Sequence, residues 1–220
     1  MALFLIRHGE TGWSRTHRHT GRTDVPLTAA GEVQARALGR RLNGVAFAAV
    51  WTSPAARARR TADLARLMPT PRVLEDLAEF DYGRYDGLTG EAIRRQRPGW
   101  ELWRDGSEGG ESPAGVLQRA QRALAVLESE SPPGPLAVVS HGHLLRALTV
   151  AYLGLPIAAA SGFVLDVASI SILDRDHGSP AVHLWNLAEP GPLGRQGAAD
   201  PAGPRPAAPD GETRGATAGG

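Results

Sequence analysis

Three short apolar runs in this chain of 220 residues each end in side chains suited to phosphate. Ala2 to Ile6 leads into Arg7-His8-Gly9-Glu10-Thr11. Phe47 to Trp51 leads into Thr52-Ser53-Pro54, with Arg57 one turn into the segment that follows. Leu136 to Val139 leads into Ser140-His141-Gly142-His143. The guanidinium is a planar fork of donors that matches phosphoryl oxygens. Histidine serves as nucleophile or base when neutral and as an acid when protonated. In an open α/β sheet, ligands bind beyond the carboxyl ends of the strands. If the three runs are strands of one such sheet, two histidines and two arginines meet at one point. The glycines after His8 and His141 let the backbone turn sharply there and leave room for a bound group.

Two absences narrow the chemistry. The chain has no cysteine, which excludes disulfides, thiolate nucleophiles, iron–sulfur clusters and cysteine zinc sites. It also has no lysine, all 24 of its basic residues being arginine, which excludes a Walker A loop and Schiff-base chemistry.

Around these residues, strand and helix signals alternate. Thr28 caps an expected helix from Ala29 to Leu42, with Val33, Ala37 and Leu38 on one face. Ala55 to Leu67 reads as a helix with Pro69 beyond its end. Ser112 caps another that runs to about Glu130, where Pro132-Pro133-Gly134 closes it. Gly142 to Leu153 reads as a helix ended by Gly154 and Pro156. Ser169 to Leu173 and Ala181 to Trp185 read as late strands. The pattern predicts an α/β fold, a three-layer α/β/α sandwich on a mostly parallel central sheet. Residues 1–188 form the expected domain. In 189–220, 21 of 32 residues are Gly, Pro or Ala, and this segment reads as a disordered tail.

The run Leu5-Ile6-Arg7-His8-Gly9-Glu10-Thr11 resembles the signature of the histidine phosphatase superfamily, the phosphoglycerate-mutase-like proteins. The resemblance continues in order. It takes in Asp24-Val25-Pro26-Leu27-Thr28 with Gly31 and Gln34-Ala35, then Ser53-Pro54, Arg57-Ala58 and Thr61-Ala62. Leu77, Glu79, Gly83, Asp86 and Gly87 follow, then Gly110-Glu111-Ser112, and last Val138 to Gly142. One Arg-His-Gly is a weak signal; ordered blocks from Leu3 to about Leu187 are a strong one.

The resemblance implies a phosphomonoesterase that acts on a small phosphorylated metabolite without metal or organic cofactor. His8 is the implied nucleophile, giving a phosphohistidine. Arg7 and Arg57 hold phosphoryl oxygens, and His141, as an imidazolium, donates to another. Glu79 protonates the leaving alcohol and later takes a proton from water. Ser14, Thr20, Gly21 and Gly142 are implied substrate contacts beside Arg7, Arg57 and His141. Ser14 stands where many members have an asparagine, and Asp86 where a glutamate is often found. The same likeness admits a cofactor-dependent phosphoglycerate mutase. Only 61 residues separate Glu79 from His141, fewer than mutases of the family carry, which favours hydrolysis. A non-catalytic binder of phospho-ligands is a third reading, and the presence of both His8 and Glu79 argues against it.

Blander readings compete residue by residue. A lone strand-end histidine is ordinarily a hydrogen-bonded core residue, and a lone Glu79 a solvated carboxylate. His17-Arg18-His19 and His141-Gly142-His143 have an H-x-H spacing that metal sites use, but no H-x-H-x-D or H-E-x-x-H companion accompanies them. The first pair is expected at the substrate entrance, and Trp13, Trp100 and Trp103 in the core or the pocket wall. A net charge of +1 gives no footprint for nucleic acid or an anionic membrane. No window approaches a transmembrane span. The opening residues run directly into Arg7 and His8 without the pattern of a secretory leader, so the expectation is a cytoplasmic protein. A homodimer is possible within the family, and no coiled-coil or edge pattern decides it.

Overall fold

A computed structural model describes residues 2–188; the expected tail, 189–220, lies outside them. Six strands form one sheet: β1 (Leu3–Arg7), β2 (Ala49–Thr52), β3 (Arg72–Val73), β4 (Leu136–Ser140), β5 (Ile170–Asp176) and β6 (Ser179–Leu187). Their order is β3-β2-β4-β1-β5-β6. The first four are parallel, and β5 and β6 are antiparallel additions at the β1 edge. Among the described residues the helices are α1 (Gly12–Arg15), α2 (Ala29–Arg41), α3 (Ala56–Leu64), α4 (Gly90–Gln96), α5 (Leu102–Asp105), α6 (Pro113–Ser129) and α7 (Gly142–Tyr152).

Side chains alternate across a strand, and the apolar runs fill both faces of the sheet. Leu3, Leu5, Leu136 and Val138 pack toward Val116, Ala120, Leu144 and Leu148 of α6 and α7. Ile6, Val50, Ala137 and Val139 pack on the other side with Leu38, Ala58 and Ala62 of α2 and α3. The three layers follow from that alternation.

Local signals place the helix starts. Thr28 Oγ1 accepts from Gly31 N at 3.0 Å, and Ser112 Oγ accepts from Gly115 N at 3.0 Å with Pro113 in the first turn. Gly9 and Gly31 let the loop after β1 touch α2. A Cβ on Gly9 would lie 2.4 Å from Gly31 O, and one on Gly31 would lie 2.1 Å from Glu10 O.

The differences from expectation have local causes. The helix expected to reach Leu67 stops at Leu64, and Arg66 follows in the left-handed region at φ 53°. The strand expected over Phe47–Trp51 is shifted to Ala49–Thr52, where its pairing with β4 begins. β3 has only two exposed residues, too few for an apolar pattern. The short helices α1, α4 and α5 also lie below the length at which periodicity is legible. The antiparallel pair turns through His177 at φ 47° and Gly178 at φ 87°, a two-residue hairpin loop with both central residues left-handed.

Candidate active site

The ends of β1, β2 and β4 sit side by side, because Arg7 pairs with Ser140 and Thr52 with Val139. His8 N donates to Ser140 O at 3.0 Å and Ser53 N to Val139 O at 3.0 Å, which carries the sheet register one residue past the strands. His8 and His141 are thereby brought together, with ring centroids 5.1 Å apart and planes at 65°.

The two rings are set differently. His8 Nδ1 lies 2.7 Å from Gly9 O. A carbonyl only accepts, so Nδ1 carries the proton and Nε2 holds a free lone pair. Burial, then the charges of Arg7 and Arg57, hold the His8 pKa well below the ordinary histidine value. His141 Nδ1 accepts from Arg57 Nε at 3.2 Å. Its proton is therefore on Nε2, which donates to Ser53 Oγ at 2.7 Å. Burial and the neighbouring Arg57 push this histidine well below its ordinary pKa too. The imidazolium expected at His141 is thus a neutral ring that still presents an N–H.

Arg57, only 1% exposed, is spanned by partners. Besides His141, it donates from Nη1 to Thr23 O (3.1 Å) and Asp24 Oδ1 (3.4 Å). Its Nη2 donates to Thr20 O (3.0 Å) and Gly21 O (3.2 Å). It ties the 20–24 loop to the second histidine. Arg7 is different. Nη1 donates to Leu165 O, but Nε is buried and has no hydrogen-bond partner among the described residues. Gly142 lies flat against this guanidinium, and a Cβ there would be 3.3 Å from Arg7 Cζ.

Glu79, on the loop after a 3-10 turn at Glu75–Leu77, has a side chain 7% exposed. Its Oε1 accepts from Phe80 N at 2.8 Å and Leu144 N at 2.9 Å, and its Oε2 from His143 N at 3.1 Å. The carboxylate thus sits on the N-terminal turn of α7, where backbone N–H groups and the helix dipole favour negative charge. Arg119 holds the backbone beneath it, donating to Asp76 O, Ala78 O and Glu79 O. Glu111 pairs with Arg119 at 2.7 Å and accepts from Asp81 N at 3.1 Å.

A cavity of about 190 Å³ opens onto this cluster. Arg7, His8, Ser14, Thr20 and Glu79 line it, whereas Arg57, His141, Gly21 and Gly142 do not. His17, Arg18, His19, Tyr82 and His143 complete the lining. Ser14 Oγ is also engaged in capping α1, accepting from Thr11 N at 2.9 Å. Asp86 pins the entrance loop, accepting from Gly21 N at 2.7 Å and from Thr23 Oγ1 at 2.6 Å. A larger groove of about 620 Å³ lies between the C-terminal ends of α2 and α3, but no histidine lines it. Trp100 and Trp103 are buried in the core, Trp100 against Tyr85 and Trp103 against His143. Among the described residues, no three histidine, aspartate or glutamate side chains converge as a metal site.

Ser53 stands out in the sequence within the Thr52-Ser53-Pro54 run, whereas Tyr82 and Arg119 do not. Tyr82 and Arg119 act through tertiary contacts that leave no local pattern.

Comparison with known proteins agrees with this arrangement. Residues 3–188 match the model of the histidine phosphatase superfamily (branch 1). An acid phosphatase of Mycobacterium tuberculosis is 42% identical over 178 residues, 80% of this chain and 87% of that protein. Sedoheptulose 1,7-bisphosphatase of Saccharomyces cerevisiae is 34% identical, over 78% of this chain and 74% of that protein. Among solved structures, a mycobacterial glucosyl-3-phosphoglycerate phosphatase with bound VO3 superposes with a TM-score of 0.78. It is 30% identical, and the match covers 85% of this chain and 99% of that one. A neutral histidine at a strand end, Arg7 and a carboxylate thus line one cavity in a chain that belongs to the histidine phosphatase superfamily, branch 1, as one of its phosphatases.

Proposed function

We propose that the chain hydrolyses small phosphomonoesters in two steps through a phosphohistidine on His8. The observation that carries this reading is the tautomer: Nδ1–H bonded to Gly9 O leaves Nε2 as a nucleophile on the cavity that Arg7 and Glu79 share. In the first step Nε2 bonds to phosphorus and the P–O bond to the alcohol breaks. Arg7, whose buried Nε has no partner among the described residues, takes a phosphoryl oxygen. His141 turns its Nε2–H from Ser53 Oγ to another. Arg57 adds its charge from behind and keeps His141 in the donating tautomer. Ser14 and Thr20 face the ester from the cavity wall, while Gly142 leaves room for the Arg7 guanidinium and Gly21 for the backbone at Phe80.

Glu79 delivers the proton to the leaving oxygen. Both lone pairs of Oε1 are used by backbone donors, and Oε2 has one left, so the acid proton sits on Oε2. In the second step a water oxygen attacks phosphorus, its proton passes to Glu79, and the P–N bond breaks. Residues 1–188 form the catalytic unit, and a chain ending at Ala188 retains turnover.

Base-quenched wild-type enzyme, mixed with a ³²P-labelled sugar phosphate, should carry label on histidine. His8→Ala should carry none and release no phosphate. Turnover preserved in His8→Ala removes the covalent mechanism. Steady phosphate release without a bisphosphorylated primer separates this reading from a mutase.

A further inference from the structure

The mechanism above leaves one wall of the cavity unused. His143, in the first turn of α7, lines the cavity with His8 and Glu79. Its Nδ1 lies 2.6 Å from Tyr82 Oη. Tyr82 is 1% exposed, and burial, followed by the charge of Glu79, holds its phenol well above the ordinary tyrosine pKa. The phenol is therefore O–H, and among the described residues His143 Nδ1 is its sole hydrogen-bond partner. Tyr82 donates, His143 Nδ1 accepts, and the ring proton of His143 is on Nε2. Burial and then Arg146 push His143 well below the ordinary histidine value, so the ring is neutral. No protein acceptor among the described residues takes its Nε2–H. The His143 side chain is 23% exposed, so this N–H is open to the cavity and to a ligand or water there.

His19 repeats the pattern beside it. Its ring stacks on Tyr82 at 4.6 Å and 25°, and meets His143 edge-on at 5.8 Å. Its Nε2 is buried without a partner among the described residues, and burial lowers its pKa to about 4. The wall thus offers neutral hydrogen-bonding nitrogens set among stacked ring faces. A hydroxyl-bearing carbon chain complements both features, with O–H groups for the nitrogens and C–H faces for the rings. The volume of about 190 Å³ limits the chain to a short one, since drug-sized ligands occupy roughly 300–1,000 Å³.

We propose that His143, oriented by Tyr82, is a specificity-determining residue whose Nε2–H donates to a hydroxyl of the leaving group. The enzyme thereby selects polyhydroxy alkyl phosphates over plain alkyl phosphates. The proposal rests on the phosphatase reading and names the substrate class of that site. Tyr82 is a positioning residue, because it acts through His143.

The test compares glycerol 1-phosphate with n-propyl phosphate. Both leave as alkoxides that need the Glu79 proton, and they differ in the hydroxyls offered to the wall. Wild type should prefer glycerol 1-phosphate in kcat/KM. His143→Phe, which keeps a ring and loses the donor, should lower that preference about three- to tenfold, the range for one hydrogen bond. His143→Gln, which restores a donor, should recover part of it. Tyr82→Phe should move the ratio the same way by a smaller factor, and it decides the matter if His143→Phe does not fold. An unchanged ratio in these variants overturns the proposal while leaving the phosphatase reading intact. Equal losses on both esters, with phosphohistidine breakdown slowed as much as its formation, assign His143 to holding Glu79 and also overturn it. Failure of the underlying reading looks different: wild type then releases phosphate from neither ester and forms no phosphohistidine.

Discussion

The ends of β1 and β4 carry the same His-Gly pair and reach the same edge of the sheet, yet their histidines hold opposite tautomers. Beside His8 the nearest polar atom to Nδ1 is a carbonyl, Gly9 O at 2.7 Å, which can only accept. Beside His141 it is the Nε–H of Arg57 at 3.2 Å, which can only donate. One ring is left with a lone pair at Nε2 and the other with an N–H there. Both are neutral, because burial and arginine charges disfavour the imidazolium in each. The strand end fixes where a histidine sits, and a single neighbour fixes what it can do.

The largest effect that sharpens this contrast is the loss of each ring. His8→Ala should abolish turnover, because no other group supplies the lone pair. His141→Ala should slow phosphohistidine formation by about 10²- to 10³-fold, the cost of one oxyanion donor, without abolishing it. Single-turnover labelling measures both. Labelled histidine surviving in His8→Ala, or vanishing in His141→Ala, reverses the assignment.

Arg57 comes next, since it sets the second tautomer. Arg57→Ala removes a charge near the phosphoryl group and frees His141 to take either tautomer. The expected loss of transition-state stabilisation is on the order of 3 kcal/mol. Arg57→Lys should recover only a part, because a point charge cannot reach His141, Asp24 and three carbonyls in one plane. Equal kcat/KM in the lysine variant and wild type would show that charge alone matters and that the tautomer is set some other way.

Protonation tests whether both rings stay neutral. If His8 is the nucleophile, the neutral ring is the active form, and burial holds its pKa well below the ordinary histidine value. The acid limb of kcat/KM should therefore fall off below pH 6, not at it. Stability should follow a related course. The unfolded histidines bind protons near pH 6.5 and the folded ones resist them, so the unfolded state holds more protons in the window below. Stability is full above about pH 6.5 and declines as pH drops through that window, by up to about 1.4 kcal/mol per pH unit for each such ring. Melting temperatures from pH 7 to pH 4 should show the decline, and His141→Gln should flatten it. A melting temperature independent of pH would mean that the folded rings bind protons just as the unfolded ones do.

Much of this arrangement was legible before any coordinates. Ordered motifs brought Arg7, His8, Arg57, Glu79 and His141 to attention, and parallel pairing gathers their strands. Caps at Thr28 and Ser112 marked two long helices because a hydroxyl three residues before a helical N–H is a local event. The charge of His141 was not legible, since it depends on an arginine 84 positions away and on burial that only the fold creates. Nor was the support of Glu79, which hangs on Arg119 across 40 positions and, through Arg119, on Glu111. The 83–110 stretch carries no legible apolar period for a related reason. Its helices α4 and α5 are short, and Ile93, Trp100, Leu102 and Trp103 are buried by contacts outside their own turns.

The smallest effect concerns the acceptor that occupies His141. Its Nε2–H donates to Ser53 Oγ at 2.7 Å, so a phosphoryl oxygen must compete with a hydroxyl for the same proton. Ser53→Ala removes the competitor. In the free enzyme His141 then holds a buried donor without a partner, and Ala55 N loses its 3.2 Å bond to Oγ as well. Stability should drop by about 1–3 kcal/mol. With phosphate bound, the His141 donor is satisfied again, so part of that loss is regained on binding. Inorganic phosphate should accordingly inhibit Ser53→Ala more tightly than wild type, by a few-fold, while Arg57→Ala should be inhibited less tightly. Weaker inhibition of Ser53→Ala would mean that the serine itself holds the phosphoryl group, and the Nε2–H of His141 would then serve the serine alone.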